Sequence, residues 1–66
     1  MSIQYIVEVA VPGARVEHCF EDYENAKRYA ADVLAVNPGV EVHLYQQEGG
    51  WRMKVRRDVW DKEAGE

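Results

Sequence analysis

With 66 residues the chain has room for one domain and no cleft between domains, and a domain of this size buries only about 60% of the surface its unfolded chain exposes. Apolar residues make up 47% of it, which excludes a disordered chain, while 12 acidic against 8 basic residues leave a net charge of −4 and weigh against a protein that coats nucleic-acid phosphates. One cysteine excludes an internal disulfide.

In chain order, "SIQYIVEVAV" carries Ile3, Tyr5, Val7, Val9 and Val11 at odd positions and Gln4 and Glu8 among the even ones, the period-two pattern of a half-buried strand. The segment lacks the basic stretch and apolar run of a signal peptide, and nowhere do about 20 apolar residues follow one another. A cytoplasmic protein without membrane contact is expected. Pro12 and Gly13 end the strand. "ARVEHCF" then alternates again, with Val16, His18 and Phe20 against Arg15, Glu17 and Cys19. A tight hairpin over Pro12-Gly13 sets Val11 against Ala14, Val9 against Val16, Val7 against His18 and Tyr5 against Phe20. A slip of one residue would turn every apolar side chain to the wrong face.

From Glu21 the period changes. "EDYENAKRYAADVLAV" offers Asp22 as a cap, acidic residues in its first turn, and Ala26, Tyr29, Ala30, Val33 and Val36 at helical spacing, with Lys27, Arg28 and Asp32 on the flank away from that stripe. "NPG" at residues 37 to 39 ends this helix, because the residue before proline avoids helical geometry.

"VEVHLYQ" opposes Val40, Val42 and Leu44 to Glu41, His43 and Tyr45. The glycines of "QEGG" supply the positive φ of a tight hairpin. A turn at Glu48-Gly49 pairs Leu44 with Met53 and Val42 with Val55; a turn at Gly49-Gly50 changes the partners and keeps the faces. The returning segment, "WRMKVRR", holds four of the chain's 8 positive charges. On a strand, Trp51, Met53 and Val55 point to the core side and Arg52, Lys54 and Arg56 to the other. Only Glu41 offsets that basic ladder within its hairpin. Beyond it, Val59 and Trp60 add a short edge strand or fold back over the open end of the core, with Trp60 packed, and residues 61–66 form an acidic tail that frays.

The expected fold is therefore α+β: one ββαββ domain over residues 1–60, a four-stranded, mainly antiparallel sheet with one helix on one face. Its core includes Val7, Val9, Val16, Ala26, Ala30, Val33, Leu44 and Val55. The uncovered face carries Ile6, Ala10, Cys19 and Tyr45 among its charges, a candidate interface for a partner or a second copy in a homodimer.

Little in the sequence points to catalysis, and no enzyme, metal or cofactor is expected. His18 and Cys19 are adjacent, so on a strand they face opposite ways and do not share a ligand. His43 has no nucleophile or carboxylate arranged with it. Glu21, Asp22 and Glu24 at the helix start are explained by capping and the helix dipole. Together with Glu8 and Glu17 they make the N-terminal half acidic against a basic second hairpin, a segregation that suits a complementary protein surface. Arg52, Lys54, Arg56 and Arg57, with Tyr45 and His43, are the candidate partner-binding residues.

Across residues 5 to 60, the succession of an N-terminal hairpin, the "ENAKRYA" helix and the "EGGWRMKVRRDVW" hairpin resembles small phage-encoded inhibitors, especially certain anti-CRISPR proteins, and is similar in outline to short phage proteins that bind host RNA polymerase. The resemblance implies function by blocking, in the host cytoplasm. A small rigid surface occupies a site on a host protein or ribonucleoprotein complex that handles nucleic acid, with no chemistry required. Two other readings come from the residues themselves: a nucleic-acid-binding module on the basic strand 52–57, opposed by the net negative charge, and a homo-oligomeric accessory protein.

Overall fold

Two period-two segments, a helical one and two more period-two segments become β1 (Ile3–Val11), β2 (Ala14–Phe20), α1 (Tyr23–Val36), β3 (Glu41–Glu48) and β4 (Trp51–Val55), followed by a second helix, α2 (Arg57–Ala64). The computed structural model describes residues 3–64, with side chains through Asp61. The strands form one antiparallel sheet in the order β2-β1-β3-β4. Both hairpins are thus joined along their first strands, and β2 and β4 are the edges.

The first hairpin has the expected register throughout, from Val11 opposite Ala14 to Tyr5 opposite Phe20, with Gly13 at φ 82° supplying the turn. The second takes the Gly49-Gly50 turn: Leu44 faces Val55, Tyr45 faces Lys54, Gln46 faces Met53 and Gln47 faces Arg52. Glu48 opposite Trp51 leaves Gly49-Gly50 as the loop, and Gly49, at φ 61°, takes the left-handed first position that a Glu48-Gly49 turn would impose on Glu48, where a side chain disfavours it.

Asp22 caps α1 as expected, accepting a hydrogen bond from the Glu24 N–H at 3.1 Å, and the Asn37 N–H closes the other end on the Val33 carbonyl at 2.8 Å. Ala26 and Ala30, both fully buried, let α1 lie close against Val7, Val42 and Leu44. The apolar stripe continues through Leu34 rather than Val36, which is 77% exposed where the chain turns away at Asn37-Pro38. Lys27 is also not on the outward flank. It is buried along its stem, with its ammonium 3.1 Å from Glu24 and 5.3 Å from the Tyr23 ring centre.

The larger departure is at the C-terminal end. The expected fraying from residue 61 meets a helix that continues to Ala64; residues 65 and 66 lie outside the described residues. The Arg56 carbonyl accepts from the Val59 and Trp60 N–H groups, and Asp58 sits in the first turn, where the helix dipole favours an anion. That turn delivers Trp60 into the core, fully buried, and leaves Val59 exposed.

Besides Val36 and the two ends of β1, Ile3 and Val11 at 38% exposure each, three residues expected inside are outside. Trp51 is 60% exposed, Met53 46% and Val16 47%, because α1 packs over β1, β2 and β3 while α2 covers the sheet end around Val42 and Val55. Trp51 and Met53 lie at the start of β4, away from α2, and Val16 lies toward the turn of the first hairpin, short of His18 and Phe20, which meet Tyr29 of α1. Among the described residues no helix is long and apolar enough to cross a membrane.

These packing differences give opposite expectations for the two tryptophans. Trp60→Ala should cost about 3–5 kcal/mol in urea unfolding, most of the stability of so small a domain, whereas Trp51→Ala should cost under about 1 kcal/mol. Trp60→Phe should be much milder than Trp60→Ala, since the buried Trp60 Nε1 has no hydrogen-bond partner among the described residues. Equal losses at Trp51 and Trp60 would contradict this packing.

Candidate functional site

On the sheet face away from α1 the register lines up side chains in rows: Cys19, Ile6, Tyr45 and Lys54 in one, Glu17, Glu8 and His43 in the next, and Gln4, Gln47 and Arg52 in a third. The sequence leads one to expect an open face with an uncompensated basic ladder. Its Ile6 and Glu8 are instead buried, at 3% and 8% exposure.

Arg52 reaches across this face. Its guanidinium lies 5.3 Å from the Tyr45 ring centre, donates from Nε to Gln47 Oε1 at 3.0 Å, and reaches Glu17 Oε2 at 3.3 Å. Glu17 is on β2 and Arg52 on β4, the two edges, which lie about 14 Å apart in a flat four-stranded sheet. Long side chains and the sheet's twist, which bends opposite corners toward each other, bring them together. Arg15 adds a second pair with the buried Glu8 at 3.8 Å. The outer face is therefore closed by its own charges, and Arg52 is committed to it.

The other candidates separate from Arg52. Arg56 lies just beyond β4 and forms a forked pair with Asp58 at 2.7 and 3.2 Å, and Arg57, in the first turn of α2, pairs with Asp61 at 4.0 Å. Lys54 has no carboxylate partner among the described residues, and His43 approaches Tyr45 at 6.3 Å between ring centres. His43, Lys54, Arg56 and Arg57 do converge, lining one open hollow of about 620 Å³ with Glu41 and Asp58, its apolar wall formed by Val40, Val42, Val55 and Trp60. Tyr45 stays under Arg52, outside that hollow.

Desolvation, and next the carboxylate of Glu8, push the Tyr45 hydroxyl above its usual pKa, with Arg52 and Arg15 opposing. The phenol is thus neutral at physiological pH and serves as a ring for stacking. His18 rests on Tyr29, ring centres 5.0 Å apart, on the helix side, while Cys19 is exposed on the other side. Among the described residues no three His, Cys, Asp or Glu side chains are grouped to hold a metal ion.

Sequence reasoning missed the exposure of Trp51 and Met53 at this edge. Their alternation with Arg52 and Lys54 is correct, but burial depends on which strand lies outermost.

Two measurements check the site. A double-mutant cycle with Arg52→Ala and Glu17→Ala should give a coupling of about 0.2–1 kcal/mol, as for a partly exposed pair; additive losses would show that the two side chains do not meet. In a pH titration followed by tyrosine ring carbon shifts, Tyr45 should titrate above 10, the ordinary tyrosine value. Because its folded pKa is the raised one, the associated stability is present below the unfolded value and is lost as pH rises through the folded one. A Tyr45 titration below 10 would contradict the burial described.

No family model matches the chain, and neither does any curated protein or solved structure.

Proposed function

We propose that the protein acts without chemistry, as a binding inhibitor of a host complex that handles nucleic acid, in the manner of the phage anti-defence proteins that the order of its sequence segments resembles. One observation carries this reading: the domain leaves Trp51 60% exposed and Met53 46% exposed on an edge strand, beside Lys54, which has no carboxylate partner among the described residues. A chain short of apolar burial spends a tryptophan there. Tryptophan is among the residues that dominate protein interfaces, and a polar or cationic rim around such an anchor adds specificity.

The nucleic-acid reading is weakened by the ion pairs. Arg52, Arg56 and Arg57 each have a carboxylate partner, so the basic strand presents less free positive charge to a phosphate backbone than its composition suggests.

The test is inhibition of purified bacterial CRISPR effector complexes and host RNA polymerase by the purified chain, with binding to each complex and to free nucleic acid measured in parallel. Stoichiometric inhibition of one of them is expected, with free DNA and RNA unshifted in gels. The Trp51→Glu, Lys54→Glu double variant should keep the thermal midpoint and lose at least about tenfold in affinity, equivalent to about 1.4 kcal/mol. Gel shifts of free nucleic acid, or inhibition far below stoichiometry, would overturn the proposal, as would indifference of every complex tested.

A further inference from the structure

β4 has one neighbour in the sheet, β3, and its other edge carries no strand among the described residues. Natural edges are commonly guarded by charge or kept short, since an open row of peptide groups templates further pairing. This one is guarded on one face only. Lys54 stands on the outer face without a carboxylate partner among the described residues, while the helix face shows Trp51 and Met53, opposite Glu48 and Gln46 of β3, with Ile3, 38% exposed, beyond Glu48. α1 lies over β1, β2 and β3 and leaves this corner bare.

From this we infer that β4 is a docking edge for an extended segment of a partner protein in which acidic residues alternate with apolar ones, added to the sheet as a fifth strand. The inference rests on the reading of the protein as a binding inhibitor and specifies how it binds. The two faces of β4 select the two halves of that pattern. A carboxylate of the incoming strand meets Lys54 on the outer face, and its apolar side chains lie beside Trp51 and Met53 on the other. Five residues give a docking length of about 17 Å, ended by the turn into α2.

A second copy fits poorly as the occupant. Antiparallel pairing of β4 with its own copy about Met53 places Arg52 opposite Lys54 of the other copy, twice, and like charges directly opposite destabilise a strand pair. The strand's own lysine thus discourages self-association and favours an acidic strand.

The probe is a short blocked peptide alternating glutamate with valine, added to the isotopically labelled full chain and followed by amide shifts and hydrogen exchange. Shifts should concentrate at residues 51–55, and the outward amides of β4 should exchange about tenfold more slowly with peptide at about ten times its Kd. The lysine–valine counterpart should bind at least about tenfold more weakly, and the glutamate peptide N-methylated along one edge should fail to bind, since it lacks the donors a new ladder needs. Lys54→Glu should reverse the preference between the two charged peptides. The N-methylated peptide leaves the protein unaltered, so the test stands even if that variant misfolds. An unresponsive β4, shifts centred on the hollow near Trp60, equal binding of the methylated peptide, or protection of β4 that rises with protein concentration alone would each overturn the inference. Because no host complex is present, loss of peptide binding with inhibition retained sinks the docking mode alone, and peptide binding without inhibition of any complex sinks the proposed function alone.

Discussion

A helix with its side chains is about 10 Å across, and the outer strands of a four-stranded sheet lie about 14 Å apart. One helix therefore cannot cover the sheet, and the arrangement of this protein follows from how the remainder is treated. The short helix α2 brings Trp60 over the end containing Val42 and Val55 and completes the core there. At the opposite end of β4 nothing is supplied, and Trp51 and Met53 remain in solvent. A single geometric shortfall thus produces both the buried tryptophan that stabilises the fold and the exposed one that is available to a partner.

Charge follows the same topology. In the sequence the acidic first hairpin and the basic second hairpin are distant and look like opposed patches. The order β2-β1-β3-β4 places them in one sheet, where Arg52 of the second hairpin reaches Glu17 of the first across the outer face, while Arg15 pairs with Glu8 within the first hairpin. The remaining arginines of the basic stretch, Arg56 and Arg57, turn to Asp58 and Asp61 of α2, and Ile6 lies buried on the outer face. What stays open is Lys54 at the edge and the mixed hollow beside α2.

The period-two and helical patterns were enough to read the strands, α1, its Asp22 cap and the register of the first hairpin, because each depends on neighbours in sequence or on one turn. Strand order depends on packing between hairpins, and without it the exposure of Val16, Trp51 and Met53 could not be read, since an alternating strand looks alike at an edge and at a centre. Glycine at both 49 and 50 left two turns open, and the pairing of Glu48 with Trp51 closes the choice, sparing Glu48 the left-handed first position of the loop that Gly49 takes instead. α2 was illegible for another reason: "RDVWDKEA" is a charged segment in which Trp60 alone is deeply buried among the described side chains, too weak an apolar period to announce a helix, although Asp58 in its first turn and the spacing of Arg57 and Asp61 are helical signals. Of the six candidate residues, His43, Lys54, Arg56 and Arg57 meet at one hollow, while Arg52 and Tyr45 meet each other elsewhere.

The covered and the open surfaces divide between the two tryptophans, and acrylamide quenching of tryptophan fluorescence in the Trp51→Phe variant reads out that division. With Trp60 as its one remaining fluorophore of that kind, the folded chain should emit at short wavelength, resist quenching, and shift to long wavelength only when urea unfolds it. Long-wavelength emission quenched as readily as free tryptophan, in a chain that is still folded, would mean that α2 does not close the core, and the account of which surface is covered and which is free would fail with it.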